Sequence, residues 1–126
     1  LIAGLSGVLT ALPAQAQPAL DHRVFPATAL RGELLMVAPP QVRLNGQDAR
    51  LAPGARIRGA DNMLLLPASA AGARWIVNYT VEATTGLLMD VWVLRPVERA
   101  NQPWPVTPEQ AGAWQFDVSA QRWSRP

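Results

Sequence analysis

The sequence predicts a small all-β protein: a sandwich or an SH3-like or OB-like barrel of six or seven short strands, followed by a tail rich in proline and tryptophan. Three observations carry this expectation. Residues 74–94 hold two β-rich runs separated by Thr84-Thr85-Gly86, which read as a hairpin with one apolar face. Asn45-Gly46 sits between the alternating runs 41–44 and 48–51, the strongest short hairpin signal in the chain. Between residues 33 and 94 short apolar runs alternate with turn residues, and no long helical period crosses them.

The central hairpin can be registered from its turn. A three-residue loop ending in a left-handed Gly86 pairs Ala83 with Leu87, Val81 with Met89, Tyr79 with Val91 and Val77 with Val93. Period-two alternation then places Trp75, Val77, Tyr79, Val81, Leu87, Met89, Val91 and Val93 on the core face. The reverse face carries Ile76, Asn78, Thr80, Glu82, Leu88, Asp90, Trp92 and Leu94, with Thr80 opposite Asp90. A face so apolar on its second side needs cover from the tail or from a partner.

The remaining elements follow in chain order. Residues 1–16 read as the remnant of a secretory signal: Leu1 to Leu12 is apolar or small, and Ala14-Gln15-Ala16 fits a cleavage site. The run is short for a membrane span, which needs about 20 residues, so membrane contact is expected only through an uncleaved signal. Residues 17–31 form an extended lead-in, in which Phe25 and Leu30 plug the β-domain and residues 27–31 make one helical turn. The β-domain is expected over residues 32–95, with strands at 33–38, 41–44, 48–51 and 55–58 and a short buried strand at 63–66. Residues 96–126 form the tail, where Thr107-Pro108-Glu109-Gln110 carries an N-cap, an N1 proline and a capping-box glutamine.

Composition excludes several chemistries. With 126 residues, 49% of them hydrophobic, the chain has room for one modest core. It has no cysteine, hence no disulfide, thiolate metal site or cysteine nucleophile. Its 11 basic residues are all arginine, which removes lysine Schiff-base chemistry, and a net charge of +2 is not that of a nucleic-acid-coating protein. One histidine, His22, and dispersed acids predict no metal and no cofactor.

Phe25-Pro26, Ala29-Leu30-Arg31-Gly32, Leu44-Asn45-Gly46, the run from Leu51-Ala52-Pro53-Gly54 to Gly59, and Val77-Asn78-Tyr79 together resemble a group of small exported proteins of Gram-negative bacteria that carry no assigned activity. The Asn45-Gly46 to Pro67 stretch is also similar to the short β-units of copper amine oxidase N-terminal-type domains. The copper chemistry of such enzymes lies elsewhere, so the resemblance implies an exported β-protein and no catalytic residue.

Four groups of residues are candidates for function. Arg43, Arg50, Arg56 and Arg58 alternate with the apolar set Val42, Leu44, Ala49, Leu51, Ala55 and Ile57, so they share an outer face. That face reads either as an anion-recognising patch or as a solvated surface that discourages edge pairing. Trp92, Trp104, Trp114 and Trp123 are candidates for contact with a partner, with Trp114 the anchor if the tail docks on its own domain. Glu82 and Asp90 are the paired carboxylates on one face that a small hydrolase would use. His22, between Asp21 and Arg23, reads as a solvated residue rather than a general base, and Ser69, Ser119 and Ser124 lack an elbow or triad context. The expected function is that of a non-catalytic exported binding or accessory protein of the periplasm, acting on a protein or an envelope component. Its alternatives are an anion binder using the arginine face and the Glu82–Asp90 hydrolase.

Overall fold

The computed structural model describes residues 23–126; the signal expected over residues 1–16, the first part of the expected lead-in and His22 lie outside the described residues. Strand β1 (Leu30–Ala38) buries Leu30, Leu34 and Met36 at period two, with Gly32 between them. It begins earlier than the sequence suggests: where a helical turn is expected, a tight turn with Ala29 N–H donating to Pro26 leads directly into the strand. A Cβ at Gly32 would lie 3.0 Å from Leu44 Cδ1 and 3.1 Å from Asn45 Oδ1, so a larger residue there would have to push those side chains aside. Strands β2 (Gln41–Leu44) and β3 (Gln47–Arg58) follow, joined by Asn45 and Gly46, whose φ values of 54° and 81° fit the tight hairpin that the dipeptide predicts.

β3 is one long strand where two are expected. Pro53-Gly54 does not end it; Gly54, at φ 79°, takes part in an irregular bulge between Leu51 and Arg56. The alternation survives the bulge, so Val42, Leu51 and Ile57 lie in the core, and Leu44, Ala49 and Ala55 pack against it as expected. β4 (Leu64–Leu65) is a two-residue strand on the outer edge of β3, and the expectation of a buried run at 63–66 fails. Only Leu65, opposite Ile57, packs on the core; Met63, Leu64 and Leu66 are exposed because β4 lies outside the closed ring of strands.

The hairpin of β5 (Arg74–Val81) and β6 (Leu88–Val93) pairs Val77 with Val93, Asn78 with Trp92, Tyr79 with Val91 and Thr80 with Asp90, as the sequence predicts. At its tip the register differs. Val81 pairs with Leu88, and Glu82 N–H donates to the Leu87 carbonyl, so the loop is one residue longer than read. A bulge at Met89 absorbs the extra residue. Leu88 therefore sits in the core rather than on the reverse face, while Val81 is exposed and Met89 half-buried. Gly86 is left-handed, with φ 73°, as expected.

These strands close a five-stranded mixed barrel in the order β1-β2-β3-β6-β5-β1, antiparallel except for β3 and β6, which run parallel. A three-stranded meander followed by a hairpin whose last strand runs parallel to the third is an OB-like connectivity, and a 3-10 turn over Pro67–Ala70 packs near the barrel end. Leu34, Met36, Val42, Leu51, Ile57, Val77, Leu88 and Val91 fill the interior, each fully buried apolar side chain contributing roughly 1.5–3 kcal/mol.

A second core lies outside the barrel. The tail forms α1 (Pro96–Arg99), α2 (Pro108–Ala113) and a small hairpin of β7 (Gln115–Asp117) and β8 (Arg122–Ser124), and folds back on the reverse face of β6. Phe25, Ala29, Leu94, Trp104 and Trp123 are its buried centre, with Trp92, Trp114 and Phe116 packed around them. Edge-on ring contacts join Phe25 to Trp92 and to Trp104 at centroid distances of 5.4 and 5.8 Å, and Phe116 stacks on Trp123 at 4.6 Å. α2 has the predicted N-cap and N1 proline, with Thr107 Oγ1 accepting from Gln110 N–H at 3.1 Å. The expected capping box does not form, because Gln110 Oε1 accepts from Val106 N–H at 2.8 Å instead of from Thr107 N–H.

Candidate functional site

The four arginines of the expected outer face do not act as one patch. Arg43 on β2 and Arg50 on β3 come together because Gln41 pairs with Arg50 and Arg43 with Asp48 across the tight hairpin. Beyond the bulge, β3 lies against β6, so Arg56 pairs with Asp90 and Arg58 with Trp92. Arg58 Nη1 also donates to the Asn62 carbonyl at 3.3 Å, which ties it to the adjacent turn. The irregular backbone at Pro53-Gly54 thus divides the face into two pairs.

Arg43 and Arg50 line an open groove of about 600 Å³. Val37, Gln41, Val42 and Ala49 also line it, and Gly86-Leu87 reach it from the β5–β6 loop. Among the described residues Asp48 is the one acid that lines it, 3.4 Å from Arg43 Nε, and both partners of that ion pair are well exposed. A surface pair of this kind contributes about 0–1 kcal/mol and yields readily to a competing anion. The groove is therefore an open, weakly basic cleft with a partly apolar lining, suited to charge recognition. Its position, on the strand 2–3 face below the loop of the closing hairpin, is where OB-like barrels hold extended ligands. Gly86 and Leu87 carry no sequence signal for this role; only the barrel's closure brings them beside β2 and β3.

The two carboxylates considered for hydrolysis are each held by a hydroxyl of their own. Asp90 Oδ2 accepts from Thr80 Oγ1 at 3.3 Å, the pairing expected of the hairpin, and Glu82 Oε1 accepts from Thr85 Oγ1 at 2.6 Å inside the β5–β6 loop. Among the described residues no group of three or more His, Asp or Glu side chains is placed to hold a metal ion.

The tryptophans divide by burial. Trp104 and Trp123 are 4% and 6% exposed and belong to the second core, so their rings are committed to the chain's own tail. Trp104 Nε1 donates to the Ala29 carbonyl at 2.9 Å, while the buried Nε1 of Trp123 finds no acceptor among the described residues. Trp92 and Trp114 are half-buried at the rim. Trp114, the expected anchor, is less committed than its neighbours because it caps the short helix α2 rather than lying beneath it.

Arg31 was missed by the sequence reading. From the solvent side of β1 it reaches across to the tail, donating from Nε to Asn78 Oδ1 at 3.1 Å, from Nη1 to the Asn101 carbonyl at 2.8 Å and from Nη2 to the Glu98 carbonyl at 3.2 Å. Its guanidinium lies 5.0 Å from the centre of the Trp104 ring. The only sequence signal for it was the unexplained polar Asn78 on a strand otherwise read as covered. Comparison of the chain with protein-family models, curated proteins and solved structures finds no match.

Proposed function

We propose that this protein is a non-catalytic binding or accessory protein of the cell envelope, exported to the periplasm, whose barrel holds a phosphate-bearing anionic ligand between the β2–β3 hairpin and the β5–β6 loop. The observation that carries the reading is the pairing of Arg43 and Arg50 on one groove whose lining acid, Asp48, is exposed. Guanidinium forks match phosphate oxygens bidentately, and the apolar lining from Val37, Ala49 and Leu87 accommodates the uncharged part of such a ligand. Export is supported by the apolar run and Ala14-Gln15-Ala16 ahead of the barrel. Among the described residues no helix is long and apolar enough to cross a membrane.

Titration of the chain with short-chain polyphosphate and with phosphatidylglycerol vesicles tests the reading. The expected result is saturable binding to at least one probe, weakened about tenfold by Arg43→Glu with Arg50→Glu and weakened by added salt. Binding that ignores both reversals, or no binding to either probe, overturns it.

A further inference from the structure

A second groove, of about 470 Å³, lies on the seam between barrel and tail, built from β1 and residues 102–125 and separate from the arginine pair of β2 and β3. Its walls are two arginine–tryptophan pairs. Arg31 lies over Trp104, and Arg125 lies over Trp114 at 5.3 Å from the ring centre. Gln102 and Gln110 add side-chain amides between them.

The charge of Arg31 is the unusual feature. All of its hydrogen-bond partners are neutral: an asparagine amide oxygen and the main-chain carbonyls of Glu98, Arg99 and Asn101. Among the described residues no carboxylate lies within ion-pair distance of it. The nearest candidate, Glu98, is already engaged by Arg23 and Arg95. Burial lowers the Arg31 pKa from 12.5 to about 10, partly opposed by the field of Glu98, so the guanidinium remains charged at neutral pH. Those oxygen acceptors offset part of the desolvation of a half-buried cation, and an anion in the groove would supply the contacting counter-charge that it lacks. Arg125, which is exposed, adds a second positive charge, and among the described residues no acid lines the groove.

We propose that this seam groove binds a carboxylate-bearing sugar ring of the uronic-acid class. The planar carboxylate suits the two guanidiniums, and the apolar face of a pyranose suits Pro103, Val106 and the edge of Trp114. Ring hydroxyls suit Gln102 and the Nε2 of Gln110, whose Oε1 already accepts from Val106 N–H. The groove has the volume of a small-ligand site. This inference does not rest on the reading of the β2–β3 groove.

The test is titration of the chain with trigalacturonate, followed by tryptophan fluorescence because Trp104 and Trp114 line the site. The expected result is a saturable change that galactotriose, its neutral counterpart, does not give. Arg125→Glu, at an exposed position that leaves the fold intact by its melting curve, weakens it about tenfold or more. Arg31→Gln abolishes it, while Arg43→Glu with Arg50→Glu leaves it unchanged. Equal binding of galactotriose overturns the proposal, as does indifference to Arg125→Glu. Displacement by inorganic phosphate at the same concentration shows a simple anion site and overturns the sugar assignment.

Discussion

Glu98 and Arg23, separated by 75 positions, form the polar joint between the lead-in and the tail. The Glu98 carboxylate, with none of its side chain exposed, accepts from the backbone N–H, Nε and Nη2 of Arg23 at 2.9, 3.0 and 2.7 Å, and from Arg95 through N–H and Nη2 at 2.8 and 3.2 Å. Arg23 also donates to the carbonyls of Gly59 and Val93, so one carboxylate fixes the lead-in, the β3–β4 turn, the end of β6 and α1 together.

Removing that charge leaves the largely buried guanidinium of Arg23 without its counter-ion. Glu98→Gln is therefore expected to cost about 3–5 kcal/mol, the range for breaking a buried pair from one side. Urea unfolding at neutral pH checks this; a change below about 1 kcal/mol would place the joint among ordinary surface pairs.

The same carboxylate predicts an acid profile. Burial alone would raise its pKa, but the hydrogen bonds from Arg23 and Arg95 outweigh it and hold it at about 2, against 4.5 for a free glutamate. A depressed native pKa gives stability that is fully present above about pH 4.5 and is lost as the pH falls towards 2. The loss amounts to roughly 3 kcal/mol. Unfolding free energies measured from pH 6 to 2 are expected to fall steeply in the native chain, and Glu98→Gln is expected to flatten the curve over that window.

The bulge at Met89 sets a contrast between two valines on one strand. Val77 is fully buried, whereas Val81 is 43% exposed at the barrel rim. Val77→Asp places a charge in the core and is expected to prevent folding, while Val81→Asp should change the melting temperature little. Similar losses for both would mean that strict alternation persists to the end of β5.

In the tail, Trp123→Ala is expected to cost about 3–5 kcal/mol and to raise hydrophobic-dye binding, and Trp114→Ala clearly less. Trp123→Phe should cost less than its lost area suggests, because it removes the buried indole N–H that lacks an acceptor among the described residues. Equal losses at Trp114 and Trp123 would restore Trp114 as the anchor that the sequence suggests.

Much of the barrel was legible because period-two burial constrains it strongly. The inward set from Val42 to Ile57, the Asn45-Gly46 turn and the pairing from Val77 to Asp90 all follow from alternation and turn chemistry. What alternation cannot show is a residue added to one strand, so the bulges at Met89 and at Pro53-Gly54 were invisible. The second of these decided the site: four arginines of one parity became two separate pairs. The docking of the tail was readable from its costly tryptophans, but which of them anchor it was not, because that depends on α1 and on the polar joint at Glu98. Arg31 escaped notice for the same reason, since every group that holds it belongs to another element.

The Phe25 main chain and the Gln121 side chain exchange hydrogen bonds, Phe25 N–H to Oε1 at 2.8 Å and Nε2 to the Phe25 carbonyl at 3.3 Å, across 96 positions of chain. No N-terminal piece emerging during synthesis can make this clasp, nor can it supply Trp123 to the aromatic cluster around Phe25. Loop closure over such a span is slow and comes late, so the barrel can assemble first while its outer aromatic layer waits. A nascent chain that stops short of residue 121 lacks both the clasp and Trp123, so the cluster of Phe25 and Trp104 stays partly uncovered and sticky until residues 121–123 are made.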